Sequence, residues 1–249
     1  MPAFHLTEHV WLIGSGQNGF DLTDRYDCHV YLIDGGSELA LVDAGAGLGH
    51  ELIRRNIEQA GFSLERVRHI LLTHAHGDHA GGAARWRRET GARVYLSRIR
   101  ADALRTGDED AVSLTEARRR GFYPPDYRLE PCPVDVELGD GDRIRVGGLE
   151  LQAIDTPGHC DGLVSFLLHA AGRTHLFCGD TVFWGGRILL LNVPDCSIPN
   201  YARSLERLAH LQVDCLLPGH GMLSLRDGQR HIQQAHQHFM NLLVPQSIL

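Results

Sequence analysis

No uninterrupted apolar run in this 249-residue chain approaches the length that crosses a bilayer, so no membrane-spanning segment is expected. The N-terminus, Met1-Pro2-Ala3-Phe4-His5-Leu6-Thr7-Glu8, lacks a basic start followed by an apolar core, and the expectation is a cytoplasmic chain. Paired cysteines are also missing. The six present (Cys28, Cys132, Cys160, Cys178, Cys196, Cys215) are scattered without CxxC spacing and read as free thiols. There is no excess of basic charge: 24 Lys and Arg against 31 Asp and Glu leave a formal charge of -7. That balance gives no attraction to a polyphosphate backbone, which argues against nucleic acid as a partner. The one basic cluster, Arg118-Arg119-Arg120, reads as a solvated helix face, with docking of an anionic substrate group as the sharper alternative. Low-complexity linkers and internal repeats are absent too, and residues 1–249 are expected to form one domain.

What the chain does contain is the run Thr73-His74-Ala75-His76-Gly77-Asp78-His79, directly after an apolar stretch at 67–72 that reads as a buried strand. Side chains alternate along a strand, so His74 and His76, two apart, project to the same side and can hold one ion. Asp78 and His79 fall where the chain turns into the next helix and face a different point. One short loop therefore offers ligands to two neighbouring metals. A lone histidine at a strand end is usually structural, and most of the 16 histidines here serve no ion. HxHxDH followed by Ala80-Gly81-Gly82 is a different matter, because His and Asp at this spacing match what borderline-hard divalent ions bind.

Three more strand ends carry the same signature: Ile154-Asp155-Thr156-Pro157-Gly158-His159, Leu176-Phe177-Cys178-Gly179-Asp180-Thr181 and Cys215-Leu216-Leu217-Pro218-Gly219-His220-Gly221. Each follows a short apolar run and adjoins glycine, which lets backbone approach a crowded centre. Singly, each is an ordinary turn. Together, His159, Asp180 and His220 bring the donor count to what a two-metal site needs, roughly three or four per ion.

The order HAHGDH, TPGH, GD, PGHG resembles the metallo-β-lactamase superfamily over nearly the whole chain, and Leu41-Val42-Asp43-Ala44-Gly45 resembles that family's first motif. The resemblance implies that His74, His76 and His159 hold the first metal, that Asp78, His79 and His220 hold the second, and that Asp180 bridges them. Asp43 would orient a ligand imidazole from behind. The implied cofactors are two divalent ions, zinc first, with iron or manganese as alternatives. An aspartate at the bridging position is similar to the glyoxalase II, lactonase and thioesterase branches; antibiotic-degrading members carry cysteine or serine there, and flavodiiron relatives carry glutamate at the position of His76. Glyoxalase II has a longer helical C-terminal region that binds glutathione, whereas this chain continues only briefly past His220. The expectation is a broader hydrolase acting on a small ester, lactone or thioester. A mononuclear iron persulfide dioxygenase, a β-lactamase-like hydrolase with weak β-lactam activity, and a non-catalytic binding module are the rivals. The expected partner is a small-molecule substrate, and a homo-oligomer is left open.

Periodicity supplies the layout. Residues 10–13 and 29–33 read as paired strands, with 39–42 continuing the sheet. Leu52, Ile53, Ile57 and Ala60 give a helix closed by Gly61, and a second helix after the metal loop ends near Gly91 before a strand at 93–96. A second half repeats the theme, with strands near 134–136, 143–146, 149–154, 163–168 and 175–178. A helix then follows on Tyr201, Leu205 and Leu208, and a last one on Ile232, Ala235, Phe239 and Leu242. Two mixed sheets flanked by helices, an αββα sandwich of the α/β class, are expected. Residues 97–133 read as a helical flap whose Tyr123 is a substrate-binding candidate, and Phe183 and Trp184 beside Gly185 and Gly186 read as a substrate wall, with plain packing as the bland alternative.

The expected chemistry follows from the ions. Two divalent cations about 3.5 to 4 Å apart share a water, lower its pKa toward neutrality and present a metal-bridging hydroxide to a substrate carbonyl. Asp78 would position that water and relay its proton to the leaving group. No serine or cysteine nucleophile is required, and Cys160 and Cys178 read as small buried fillers.

Overall fold

The first four strands, β1 (Phe4–Thr7), β2 (Val10–Gly14), β3 (Val30–Asp34) and β4 (Leu39–Val42), pair antiparallel in sequence order. After β4 the chain stops making hairpins. Helix α1 (His50–Gln59) leads to β5 (Val67–Leu71), and α2 (Gly77–Ala80) with α3 (Ala83–Thr90) leads to β6 (Arg93–Ser97). A helical crossover returns the chain parallel, and β4, β5 and β6 pair that way. The computed structural model describes residues 3–248 and divides into two compact units; the first takes in the chain to Leu138 plus Val146–Gly148, the second Gly139–Arg145 and the chain from Leu149 onward.

In the first unit all four residues of β4 are buried, as expected of a strand covered on both faces. Helix α1 buries His50, Ile53, Asn56 and Ile57, and the Asn56 amide donates to the Ile13 carbonyl at 2.8 Å. Leu52, expected on the apolar face, is instead 44 % exposed. At about 100° per residue it lies well round the helix from Ile53, and the i, i+3, i+4 stripe excludes it. Burying Ile53 and Ile57 stabilises the helix by roughly 1.5–3 kcal/mol each.

Residues 97–133 contain α4 (Ala101–Thr106) and α5 (Leu114–Arg119), but they are no free-standing flap. Leu104, Val112, Leu114, Tyr127, Leu129 and Cys132 are buried in the same core as the first sheet. The basic cluster is paired locally, three arginines on two glutamates: Arg118 pairs with Glu109 at 2.8 Å, and Arg119 and Arg120 with Glu116 at 2.7 and 2.5 Å. The strand expected near 134–136 forms as β7 (Val136–Leu138) and joins the edge of the first sheet, parallel to β6, not the second sheet. Asp135 fixes it there by exchanging hydrogen bonds with Val94 at 2.9 Å each way and taking the Arg87 guanidinium at 2.9 and 3.1 Å.

The second sheet has the order β12-β11-β10-β9-β8, from β8 (Arg143–Val146), β9 (Leu149–Asp155), β10 (Val164–Ala170), β11 (Arg173–Gly179) and β12 (Cys215–Pro218). β9, β10 and β11 form an antiparallel meander, and β12 returns parallel to β11 through α6 (Ile198–Ala209). Ser197 caps α6 by accepting from the Asn200 N–H at 3.3 Å, and Tyr201, Leu205 and Leu208 are buried as expected. Helix α7 (Gly228–Met240) buries Ile232 and Ala235, but it ends before Leu242, which takes a left-handed φ of 58° and is 95 % exposed. Both sheets are mixed and flanked by helices. Among the described residues no helix is long and apolar enough to cross a membrane.

Candidate metal centre

The parallel register of β4 and β5 sets Val42 against Leu71, so the chain just beyond both strands emerges side by side. Asp43, at a left-handed φ of 63°, lies beside Thr73. Its carboxylate accepts from the Thr73 N–H at 2.8 Å, from the Thr73 hydroxyl at 2.9–3.0 Å and from Nδ1–H of His79 at 2.8 Å. A non-glycine residue in that region carries strain that its surroundings must offset, and three hydrogen bonds to one buried carboxylate do so. The expectation that Asp43 backs a ligand imidazole identifies His79 as that imidazole.

These contacts assign protons. Thr73 has one hydroxyl hydrogen, and Asp43 takes it, so the Thr73 oxygen accepts from His74 Nδ1 at 3.0 Å. His74 Nε2 then bears a lone pair, and it faces His76 Nδ1 at 3.1 Å, the two rings edge to face. By the same logic His79, which gives its Nδ1 proton to Asp43, bears a lone pair at Nε2. Asp78 Oδ2 lies 3.6 Å from that nitrogen. His76 caps the single turn of α2, which carries Asp78 and His79 away from the strand direction as the sequence suggested. Gly81 is required here, since a Cβ on it would run into the Tyr127 hydroxyl and the Gly77 carbonyl.

Two tyrosines hold this loop. The Tyr123 hydroxyl donates to Asp78 Oδ1 at 2.8 Å and accepts from the Asp78 N–H at 3.1 Å. The Tyr127 hydroxyl lies 2.8 Å from the Ala46 carbonyl oxygen and 2.9 Å from that of Gly77. Burial, and then the charge of Asp78, push the Tyr123 phenol well above its usual range, so it acts as a neutral donor. Cys28 places its sulfur within 4.8 Å of ligand atoms of Asp43 and His79, but burial pushes its thiol far up and keeps it protonated.

The second unit holds its own set. His159, Asp180 and His220 are all buried. Parallel pairing of β11 with β12, with Gly179 against Pro218, brings Asp180 next to His220. His159 follows the Pro157-Gly158 turn, where Gly158 has φ 155° and a Cβ would strike Tyr201. Its Nδ1–H donates to the Leu189 carbonyl at 3.0 Å, leaving a lone pair on Nε2. Asp180 Oδ2 lies 3.5 Å from His159 Nε2 and 3.6 Å from His220 Nε2, both longer than a good N–H···O bond. One carboxylate oxygen thus lies at near-equal range of two imidazole nitrogens, as a carboxylate placed between two cation sites would.

Of the aromatics expected as a substrate wall, Phe183 is 2 % exposed and sits in the interior, while Trp184 is 49 % exposed and leans on His231 with ring centroids 4.3 Å apart and planes tilted by 40°. Cys178 is a buried filler as expected, its thiol pushed up by burial, and Cys160 is buried as well. Sequence reasoning did not find the parts played by Thr73, Tyr127 and the Leu189 carbonyl. Thr73 lies inside the motif run; nothing local in the sequence points to the other two.

The residues fit divalent metal. The donor set is imidazole and carboxylate, and three of the rings are held in the tautomer that bears its lone pair on Nε2, by a hydroxyl, a carboxylate and a main-chain carbonyl. The fold and this donor set define a metal-binding hydrolase. The Metallo-beta-lactamase superfamily model matches residues 23–220, and the chain belongs to that superfamily. The human acyl-coenzyme A thioesterase MBLAC2 is 30 % identical over 212 residues, covering 77 % of this chain and 72 % of the relative. Hydroxyacylglutathione hydrolase from Methylococcus capsulatus is 32 % identical over 149 residues, 60 % of this chain and 46 % of that one. A metallo-β-lactamase from Cronobacter sakazakii is 28 % identical in sequence and superposes over 97 % of this chain and 96 % of its own with a TM-score of 0.74, which identifies the αββα fold.

Proposed function

We propose that the chain is a binuclear metal-dependent hydrolase of small activated acyl compounds, with thioesters ahead of esters and lactones. His74, His76 and His159 would hold one ion and Asp78, His79 and His220 the other, with Asp180 between them; zinc is the first choice, iron or manganese the alternatives. The observation that carries the reading is a set of contacts at Nδ1: Thr73, Asp43 and the Leu189 carbonyl meet that nitrogen of His74, His79 and His159, an arrangement that turns Nε2 of each ring toward a cation. Ligand atoms of His74 and His76, and of Asp78 and His79, lie within 4.8 Å of one another. Thioesters come first because curated relatives near 30 % identity are named for acyl-coenzyme A and hydroxyacylglutathione hydrolysis, and because Asp180 fills the position that antibiotic-degrading members give to another residue type.

When bound, two such cations supply Lewis acidity and a nucleophile derived from water at neutral pH. The chain's own residues do the rest. Asp43 holds the His79 ring in plane through its Nδ1–H. Asp78, anchored at Oδ1 by Tyr123, keeps Oδ2 toward the reaction and can carry a proton to the departing group. The half-exposed Trp184 ring offers an apolar face for an acyl chain.

The test is metal quantification on protein made without added metal, coupled to a screen of thioesters, lactones and a chromogenic cephalosporin. About two zinc per chain with thioester turnover is the expected result. About one iron with oxygen-dependent chemistry points to the persulfide dioxygenase reading, and cephalosporin turnover above all other substrates to a β-lactamase. Asp78→Asn is expected to lower kcat at least 100-fold, a drop of roughly 10²–10⁴ being typical for lost proton-transfer groups, and His159→Ala to abolish turnover by removing a metal ligand, each with the far-UV spectrum unchanged. Rates equal to those of the parent protein would count against the proposal.

A further inference from the structure

The turn after α5 sets two tyrosines on the metal loop that the histidine motif itself does not call for. Tyr123 closes a ring of two hydrogen bonds around a single residue, donating to Oδ1 of Asp78 at 2.8 Å and accepting from its N–H at 3.1 Å. The other carboxylate oxygen, Oδ2, is left on the side of His79, 3.6 Å from Nε2. Tyr123 is itself held firmly. Its ring stacks on Tyr127 with centroids 4.9 Å apart and planes 14° from parallel, and rests against Tyr26 at 6.0 Å. The Arg118 guanidinium, paired with Glu109, donates to the Tyr127 carbonyl at 2.7 Å and fixes the backbone of the turn.

We propose that Tyr123 is a positioning residue for Asp78: by occupying Oδ1 it fixes the plane of the carboxylate and commits Oδ2 to the cation. The inference rests on the metal-dependent hydrolase reading. An ionised carboxylate has about four acceptor positions on two equivalent oxygens, and its terminal torsion is broad and roughly two-fold. Left alone, Asp78 could turn either oxygen, or both, toward an ion. A neutral phenol that already accepts from the Asp78 N–H can present its proton to one oxygen only, so the pair of bonds selects one orientation. Because the ring is locked by stacking, little side-chain freedom is lost in holding it there.

Tyr123→Phe removes one oxygen and keeps the stacked ring. Three quantities separate positioning from mere support: metal affinity by competition with a chromogenic chelator, kcat and KM on an activated thioester, and the melting temperature of metal-stripped protein. The expected result is a roughly 10- to 100-fold loss of affinity for the cation that Asp78 would hold, the range for losing a group that orients a ligand. kcat should fall while KM stays within about twofold, since the lost interaction serves the reacting groups and not substrate binding. The stripped protein should melt as the parent does. Added to Asp78→Asn, the same substitution should have no further effect on affinity, because no carboxylate remains to be oriented. If Tyr123→Phe keeps parental affinity and kcat while Asp78→Asn loses both, the inference is wrong and the hydrolase reading stands. If the affinity loss persists in the Asp78→Asn background, or follows a drop in melting temperature of the stripped protein, Tyr123 only supports the loop. A parent protein that binds no metal and turns over no substrate removes the reading and the inference together.

Discussion

Asp27 is a carboxylate this fold buries at a cost. It is 2 % exposed, accepts from the Ala46 N–H at 2.8 Å and the Asp24 N–H at 3.1 Å, and burial still raises its pKa from 3.8 to about 6. An unfolded chain releases this proton near pH 4, the folded one near pH 6, so the folded state binds more protons between them. The stability this group contributes is complete below pH 4 and is lost as pH rises through 6. Asp27→Asn cannot ionise. Metal-stripped parent protein should therefore lose stability relative to the variant between pH 4 and pH 7, by on the order of 3 kcal/mol, as read by urea unfolding at the two pH values. A constant difference would show that Asp27 is not perturbed. The residues that bear on metal were far more legible than this one. His74 and His79 stand in the dense His-Asp run after a strand, and His76, Asp78, His159, Asp180 and His220 stand next to glycines beyond strands, and that local context is visible in a string of letters. Thr73 orients His74 only because its hydroxyl donates to Asp43, 30 positions earlier, and no local pattern records that.

Among the elements, helix α1 gives the sharpest check on the packing. Ile53 and Ile57 are wholly buried and Leu52 is 44 % exposed, although all three are apolar and close in sequence. Ile53→Ala should cost roughly 2–5 kcal/mol in urea unfolding through lost burial and the cavity left behind. Leu52→Ala should stay within about 0.5 kcal/mol, as surface substitutions do. Equal effects would mean that the helix is rotated from the stripe described. Strand and helix positions were legible because apolar runs and capping signals are local: Gly91, at φ 68°, ends α3 where a stop was expected. What was misread depended on pairing or on a helix stopping early. β7 looks the same in sequence whichever sheet it joins, and only the long excursion through 97–133 returns it to β6. Leu242 continues the α7 repeat on paper, but the chain has already left the helix at Asn241.

For the whole molecule, the superfamily follows from motif order and from the match over residues 23–220, whereas the substrate is not written in either. The proposed binding of metal has a thermodynamic corollary. Ions that bind the folded chain and not the unfolded one add RT ln(1 + [M]/Kd) to stability, about 4 kcal/mol at a thousandfold excess over Kd. Removing metal with a chelator should lower the melting temperature by several degrees, and restoring zinc should recover it. A melting curve indifferent to the chelator would argue against resident metal. The two oriented imidazoles also differ in how mutation can reach them. His79 depends on a carboxylate that belongs to one side chain, Asp43, so a single codon change can silence its partner. His159 depends on the backbone oxygen of position 189, which every amino acid carries. Genetic drift can erode the support of His79 by one missense step, while that of His159 is shielded from any substitution at its acceptor that leaves the local chain path intact.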